Sequence, residues 1–150
     1  MAVWQSARVP TGFHELWCAE LGSPVDLAGL RRRLRLATTG SPTVVHPERE
    51  HWAERLVLIA DELTSNALRH GGAPVATALS RIGDKWMVSV SDHSPEIPPE
   101  PAKDRDPALG GLGLHLIADL AVRHGWFADR ASKTVWAVVA DDRPARSTRE

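Results

Sequence analysis

The stretch DELTSNALRHG, residues 61–71, places an acid and an amide four residues apart in a segment with helical apolar spacing. On a helix, side chains at i and i+4 project from one face, so Glu62 and Asn66 stand side by side. A carboxylate beside a carboxamide oxygen suits a hard cation such as Mg²⁺, or a carboxylate base next to a metal that the amide holds. The alternative is a pair of solvated residues on an outer face. Because Leu63 and Ala67 belong to the apolar stripe, the pair borders the buried face, which favours a site.

A second stretch with chemical potential is LGGLGLHL, which begins at Leu109. Gly110, Gly111 and Gly113 come immediately before a predicted helix, so their backbone N–H groups can face an anion at a helix N-terminus. Phosphate is the obvious ligand, and a flexible hinge is the alternative. The stretch is not a Walker A loop, because no Gly-Lys-Ser/Thr follows. It is not a dinucleotide fingerprint either, because a Pro-rich segment precedes it instead of a strand.

A third candidate residue is Asp92, which ends an apolar strand just before the Pro-rich segment. Its carboxylate could recognise a ligand at the end of the sheet, or it could simply cap the turn. The segment after it, residues 93–111, contains five Pro and a cluster of charges, which exclude a helix or a central strand. Its length predicts a functional lid or a disordered segment.

The elements that must position these residues can be read from the hydrophobic periodicity. Ser23 as N-cap, Pro24 at the first helical position and Asp26 at the third predict a helix start. Helices are predicted over residues 23–39, about 48–70 and 112–125, and strands over residues 13–21 and in two hairpins over 74–92 and 126–140. Residues 1–12 read as a loosely ordered arm or an edge strand, and residues 141–150 as a frayed tail. The expected fold is α+β, a two-layer α/β sandwich with helices on one face of an antiparallel or mixed sheet.

Bulk properties limit the function classes. The chain has 150 residues, which indicates a single domain, and its net charge of −1 with a pI near 6.7 gives no global field for nucleic acid or an anionic membrane. The basic run from Arg31 to Arg35 reads as the wet face of an ordinary helix, so a nucleic-acid partner is not expected. The single Cys18 excludes an internal disulfide. With no evident signal peptide or spanning apolar run, we expect a cytoplasmic protein with no membrane partner.

The order of the three stretches is more specific than any one of them. A helix with E-x-x-x-N, a strand ending in Asp, a long loop, a glycine run and a helix follow one another. In this the sequence resembles the GHKL (Bergerat-fold) ATPases, and among them the short bacterial anti-sigma-factor serine/threonine kinases and their stand-alone ATP-binding relatives. DELTSNALRHG looks like the family's N box, VSVSDHSP like its adenine-binding strand end, and GGLGLHLI like its second glycine box. The resemblance covers roughly residues 23–140.

Carried over by position, the resemblance implies roles for individual residues. Asn66 would ligate the Mg²⁺ that bridges the ATP phosphates, Glu62 would be the general base, and Asp92 would accept a hydrogen bond from the adenine amino group. The loop from His93 to Leu109 would be the ATP lid. The phosphates would be lined by Gly110, Gly111, Gly113 and the backbone at Leu114.

The resemblance also implies a function and its rivals. The leading hypothesis is a homodimeric Mg-ATP-binding regulator that phosphorylates a serine or threonine on an anti-sigma antagonist and sequesters a sigma factor. The adenine box departs from the family pattern D-x-G-x-G, because His93, Ser94, Pro95 and Glu96 follow Asp92 and neither glycine is present. A stiffer, altered nucleotide floor is implied. The alternatives are therefore a non-catalytic nucleotide-binding interaction module and a plain interaction domain with a vestigial pocket. No basic residue adjoins the second glycine box, and Lys103 or Arg105 in the lid could substitute as the sensor of the terminal phosphate.

Overall fold

A five-stranded sheet forms one layer of the computed structural model, which describes residues 5–96 and 112–141. The elements are β1 (His14–Leu21), a 3-10 turn (Pro24–Asp26), α1 (Leu27–Thr39), α2 (His51–His70), β2 (Val75–Ile82), β3 (Lys85–Asp92), α3 (Leu112–Leu120), β4 (Arg123–Ala128) and β5 (Lys133–Ala140). The strand order is β1-β2-β3-β5-β4, and every pair of neighbouring strands is antiparallel. The predicted α+β fold class is confirmed.

Side-chain alternation directs one face of the sheet toward the helices. The main hydrophobic core lies between that face and the helices. It contains alternate residues of β3 and β5, together with the apolar stripe of α2. These core residues include Val88, Val90, Val135, Ala137, Val139, Leu56, Ile59, Ala60 and Leu63. None of the helices in the described ranges has the length and apolar character needed to cross a bilayer.

Helix α1 is attached to α2 through the arginine run. The Arg35 guanidinium donates to both carboxylate oxygens of Glu54, at 2.9 and 3.0 Å, and Arg31 pairs with Asp61. Arg33 lies over the Trp17 ring of β1, 4.3 Å from its centroid. The interpretation of this run as a merely solvated helix face was therefore incomplete. Its arginines also form ion pairs with α2 and a cation–π contact with β1.

Three predicted helix boundaries shift for local reasons. The first helix opens as a 3-10 turn, where the Asp26 carboxylate accepts from the backbone N–H of Ser23 at 3.3 Å. The second begins at His51 and not near residue 48, because the preceding backbone turns around the Glu50 carboxylate, which accepts from the N–H of His46 at 2.8 Å. The third ends at Leu120, before residue 125, because β4 follows from Arg123 and pairs with β5.

The arm before β1 covers part of the sheet face that points away from the helices. Ser6 bridges Trp126 of β4 in parallel, and the Trp136 indole Nε1 donates to the carbonyl of Ala7 at 3.0 Å. A small second core forms there from Met87, Trp136 and Val138 with Ala7, Val9 and Phe13. Of the two alternatives for the arm, the edge strand applies to this short pairing, while residues 1–4 lie outside the described chain.

Candidate functional site

The acid and the amide of the N-box stretch lie on the flank of α2. Glu62 and Asn66 are both half-buried, next to the buried Leu63 and Ala67. The rotation of the helix is fixed by Thr64, whose buried hydroxyl lies 2.9 Å from that of Thr77 on β2. The pair therefore stands where the helix passes from core to solvent, as its spacing predicted.

The end of α2 meets the end of β3 in an unusually close contact. A Cβ placed on Gly71 would lie 2.4 Å from both Cγ and Oδ2 of Asp92, well inside van der Waals contact. The backbone of Gly71 has φ −93°, which any residue can adopt. Glycine is needed here for space alone, since a larger residue would push the Asp92 side chain away.

Asp92 is buried, with 2% of its surface exposed, and its carboxylate has defined partners. Oδ1 accepts from the backbone N–H of Ser94 at 2.8 Å, and the Ser94 hydroxyl donates to the carbonyl of Gly71 at 2.9 Å. Ser94, which stands where the family pattern has its first glycine, thus joins the start of the next segment to the end of α2. The stiffer, altered nucleotide floor stays a prediction, and this contact is a physical reason to expect it.

A lysine that the sequence did not single out completes this end of the site. Lys133, the first residue of β5, is directly opposite Asp92 in the β3–β5 register. Its Nζ lies 3.4 Å from Oδ2 of Asp92, and Lys133 is 5% exposed. An ammonium and a carboxylate therefore lie side by side beneath the helix layer.

The candidate site is elongated. Asn66 precedes Gly71 by five residues, or roughly 7.5 Å at the helical rise per residue, and Glu62 lies one further turn away. The buried ion pair thus occupies one end, and the acid and amide occupy the other. A ligand that contacted both ends would run along the flank of α2.

A metal bound at Asn66 would need oxygens from its ligand. Within residues 5–96 and 112–141, no group of three or more His, Cys, Asp or Glu residues is placed to hold a metal ion. Mg²⁺ usually keeps several waters and is bound through one or two carboxylates together with substrate phosphates. The single amide oxygen of Asn66 would take the place of such a carboxylate.

The structure describes only part of the second glycine box. Gly110, Gly111, Lys103, Arg105 and the predicted lid beyond Glu96 lie outside the described residues. Gly113 and Leu114 lie in the first turn of α3, which packs against α2, and Leu114 is buried in the main core. The structure therefore brings the glycine-box helix to the α2 layer, and the phosphate-binding role of this box stays a prediction.

Comparison with known families agrees with this arrangement. Residues 24–139 match the family described as the histidine kinase-like ATPase domain, and this range includes α2, the end of β3, α3 and β5. The chain belongs to this family. Membership in this GHKL-like ATPase family supports ATP binding. A search of curated proteins found no match to the chain.

Within this ATPase family, two features of the present chain were missed by sequence reasoning. Gly71 was recognised only as a helix stop, although the Gly-Gly doublet was a signal that a close approach was possible. Lys133 was recognised only as the start of a strand. Its charge in an otherwise apolar strand was a signal, but pairing it with Asp92 required the β3–β5 register, which the hairpin prediction did not contain.

Proposed function

We propose that this protein is a Mg-ATP-binding regulator of the anti-sigma kind. In this proposal it acts as a homodimer in the cytoplasm, phosphorylates a serine or threonine on an antagonist protein and sequesters a sigma factor. The observation that carries the proposal is that α2 contributes to both ends of the candidate site. One helix presents Glu62 and Asn66 on its flank and ends at Gly71 against the buried Asp92.

Nucleotide binding is supported by the two ends of this array. The Asp92 carboxylate can accept from an exocyclic amine. Its side chain lies so close to Gly71 that a Cβ at position 71 would collide with it, so glycine keeps the carboxylate in place. Asn66 can supply one oxygen to a magnesium ion shared with the phosphates. The bound Mg²⁺ would neutralise charge on the phosphates and on the departing ADP.

For transfer, Glu62 is the candidate base. It would take the proton of the acceptor hydroxyl, whose oxygen bonds to the γ-phosphorus as the bond to the ADP oxygen breaks. The half-buried position of Glu62 leaves it within reach of solvent and of a protein substrate. Asn66, one turn along the same flank, would hold the metal close to that reaction.

A second candidate is a nucleotide-binding interaction module without catalysis. It is favoured by the changed adenine box, where Ser94 and Lys133 already contact the Asp92 carboxylate. Such a site could bind nucleotide as a structural ligand that organises a surface for a protein partner. This module would retain the role of Asn66 and would have no need of Glu62 as a base.

Calorimetry with ATP, with and without Mg²⁺, tests the binding step. We expect Asn66→Ala to lose most of the Mg²⁺-dependent gain in affinity, because the metal loses its protein ligand. Ser65→Ala is the matched control, because Ser65 is also half-buried on α2. Among the hydrogen bonds described, its hydroxyl contacts only the backbone carbonyl of Glu62 and the Arg69 guanidinium. Equal Mg²⁺ dependence in wild type and Asn66→Ala would remove the N box from the proposal.

Transfer of label from γ-labelled ATP to the antagonist tests the catalytic step. A base contributes typically about 10²- to 10⁴-fold, so Glu62→Gln should slow transfer by that factor while leaving ATP affinity nearly unchanged. Full transfer by Glu62→Gln would eliminate this residue as the base. ATP binding by the wild type with neither transfer nor hydrolysis would select the non-catalytic module.

A further inference from the structure

We infer that Lys133 sets the base specificity of this site, so that the Lys133–Asp92 pair accepts purine nucleotides with either an amino or an oxo group at the six-position. The inference rests on the proposed nucleotide-binding function. It concerns a residue outside the N box, the adenine box and the glycine box of the family pattern.

The placement of Lys133 makes it a neighbour of whatever Asp92 contacts. The two residues are opposite each other on adjacent antiparallel strands, and residues in register on adjacent strands project from the same face. That face is the one covered by the helices, because Val90 and Val135, two residues away on each strand, belong to the main core. The ammonium and the carboxylate therefore project from the same face of the sheet, where Asp92 meets Gly71.

The stability of the fold gives no clear reason for this pair. Both side chains are almost fully buried, with 6% of the Lys133 side chain and 1% of the Asp92 side chain exposed. Taking two charges out of water costs several kcal/mol per ion, and apolar replacements of buried pairs are often neutral or stabilising. A role in recognition would account for two charged groups at this position.

The Asp92 carboxylate retains capacity for a ligand. An ionised carboxylate offers about four acceptor positions, whereas Ser94 N–H takes one on Oδ1. The Lys133 Nζ–Asp92 Oδ2 distance of 3.4 Å exceeds the 2.7–2.9 Å of a tight charge-assisted hydrogen bond. Because a lysine ammonium carries three donor protons, Nζ can donate to an acceptor on a base whose own donor approaches Oδ2.

The substituent at the six-position of a purine determines whether the base needs an acceptor such as Asp92 or a donor such as Lys133. Adenine carries an amine there, which donates, whereas guanine and hypoxanthine carry a carbonyl oxygen, which accepts. A lone carboxylate would oppose that oxygen, because two acceptors would face each other in a buried site. The neighbouring ammonium supplies the missing donor. Lys133 therefore removes the preference for six-amino over six-oxo purines that Asp92 alone would impose.

The test compares the Kd of Mg-ATP with that of Mg-ITP, two nucleotides that differ in the base only at the six-position and the adjoining N1. Both titrations are carried out by calorimetry in the same buffer at pH 7, where the N1–H of the ITP base stays protonated. We expect the wild-type ratio Kd(ITP)/Kd(ATP) to stay within about tenfold, and Lys133→Met to raise it by at least about tenfold, chiefly by weakening ITP. Lys133→Gln, whose amide keeps a donor, should retain a ratio near that of the wild type.

Lys85→Met is the matched control. Lys85 begins β3 at the opposite end of that strand from Asp92 and pairs with Asp84 at 3.2 Å, so its loss should leave the ratio unchanged. A wild-type ratio above about tenfold, or a ratio that Lys133→Met does not alter, would overturn the inference. If Lys133→Met fails to fold, the wild-type ratio and Lys133→Gln decide the matter. Failure of the proposed function looks different, because then neither nucleotide binds to any variant.

Discussion

The contact between Gly71 and Asp92 predicts an unusually costly glycine-to-alanine substitution. In Gly71→Ala the new methyl carbon would lie 2.4 Å from Cγ and Oδ2 of Asp92. Favourable contacts between carbon atoms lie at about 3.5–4.0 Å, so one side must move by roughly 1 Å. The Asp92 side chain is buried, held by Ser94 and faced by Lys133, and therefore has little room to yield.

The magnitude follows from these restraints. Overpacking of a closely packed site typically costs about 1–3 kcal/mol, and we expect Gly71→Ala to lower the free energy of unfolding by that amount. Displacing the carboxylate should also weaken ATP binding. A hydrogen bond to a charged group contributes about 1.5–3 kcal/mol, which corresponds to roughly a 10- to 150-fold rise in Kd.

Urea unfolding and calorimetry with Mg-ATP measure the two effects, and the next residue provides the control. Gly72 has φ +77° and no heavy atom within 4 Å of an added Cβ. Gly72→Ala should therefore cost about 1–2 kcal/mol through backbone strain alone and leave ATP affinity close to the wild type. The two alanine variants separate a clash with Asp92 from a generic loss of a glycine.

A double-mutant cycle with Asp92→Gly identifies the partner in the clash. Glycine is required at position 92 because the Asp92 Cβ also lies only 2.7 Å from a Cβ at position 71. If the added methyl group meets the Asp92 side chain, the stability cost of Gly71→Ala should fall by at least half in the Asp92→Gly background. A Gly71→Ala protein with wild-type stability and affinity would refute the close approach, and a cost that persists unchanged after Asp92→Gly would assign the clash to another group.

Three further predictions concern stability. Gly29→Ala, in the first turn of α1 where an added Cβ meets nothing within 4 Å, should raise the free energy of unfolding by up to about 0.5–1 kcal/mol in urea denaturation. Ile59→Ala should lower it by about 2–5 kcal/mol, because Ile59 is fully buried, whereas the exposed neighbour Leu58 should tolerate alanine within about 0.5 kcal/mol. Burial lowers the pKa of His124 below its ordinary value of about 6.5, so the unfolded chain binds this proton more readily. Stability should therefore decline as pH falls below about 6.5, and His124→Gln should reduce the decline measured between pH 7.5 and 5.5; an unchanged decline would exclude His124 as its source.

The local signals in the sequence were sufficient for the main helices and strands and for the fold class. The periodicity of α2, the alternation along β3 and the turn at Gly83 each depend on neighbouring residues, and each is reproduced in the structure. The helix boundaries were less accurate. Glu50 delays the start of α2 through hydrogen bonds to backbone groups upstream, which residue spacing alone does not reveal.

The parts of the candidate site that could be predicted are those formed by residues close together in the sequence. Glu62 and Asn66 share one helix, so the helical period was enough to place them together. The contact of Asp92 with Lys133 joins residues on strands separated by the whole glycine-box region, and only the β3–β5 register reveals it. The same reasoning explains why Gly71 could be recognised as a helix stop but not as a contact to Asp92.

The two edges of the sheet differ in a way that bears on assembly. At the β4 edge, Ser6 bridges Trp126 and so occupies part of the strand's outer side, whereas β1 pairs only with β2 among the described residues. An edge with open backbone groups can accept a second chain. If the proposed homodimer forms by antiparallel addition of β1 to β1, each copy uses the same edge and a two-fold axis relates them. Such an assembly closes at two subunits, and continued growth into a filament would have to displace the arm from β4.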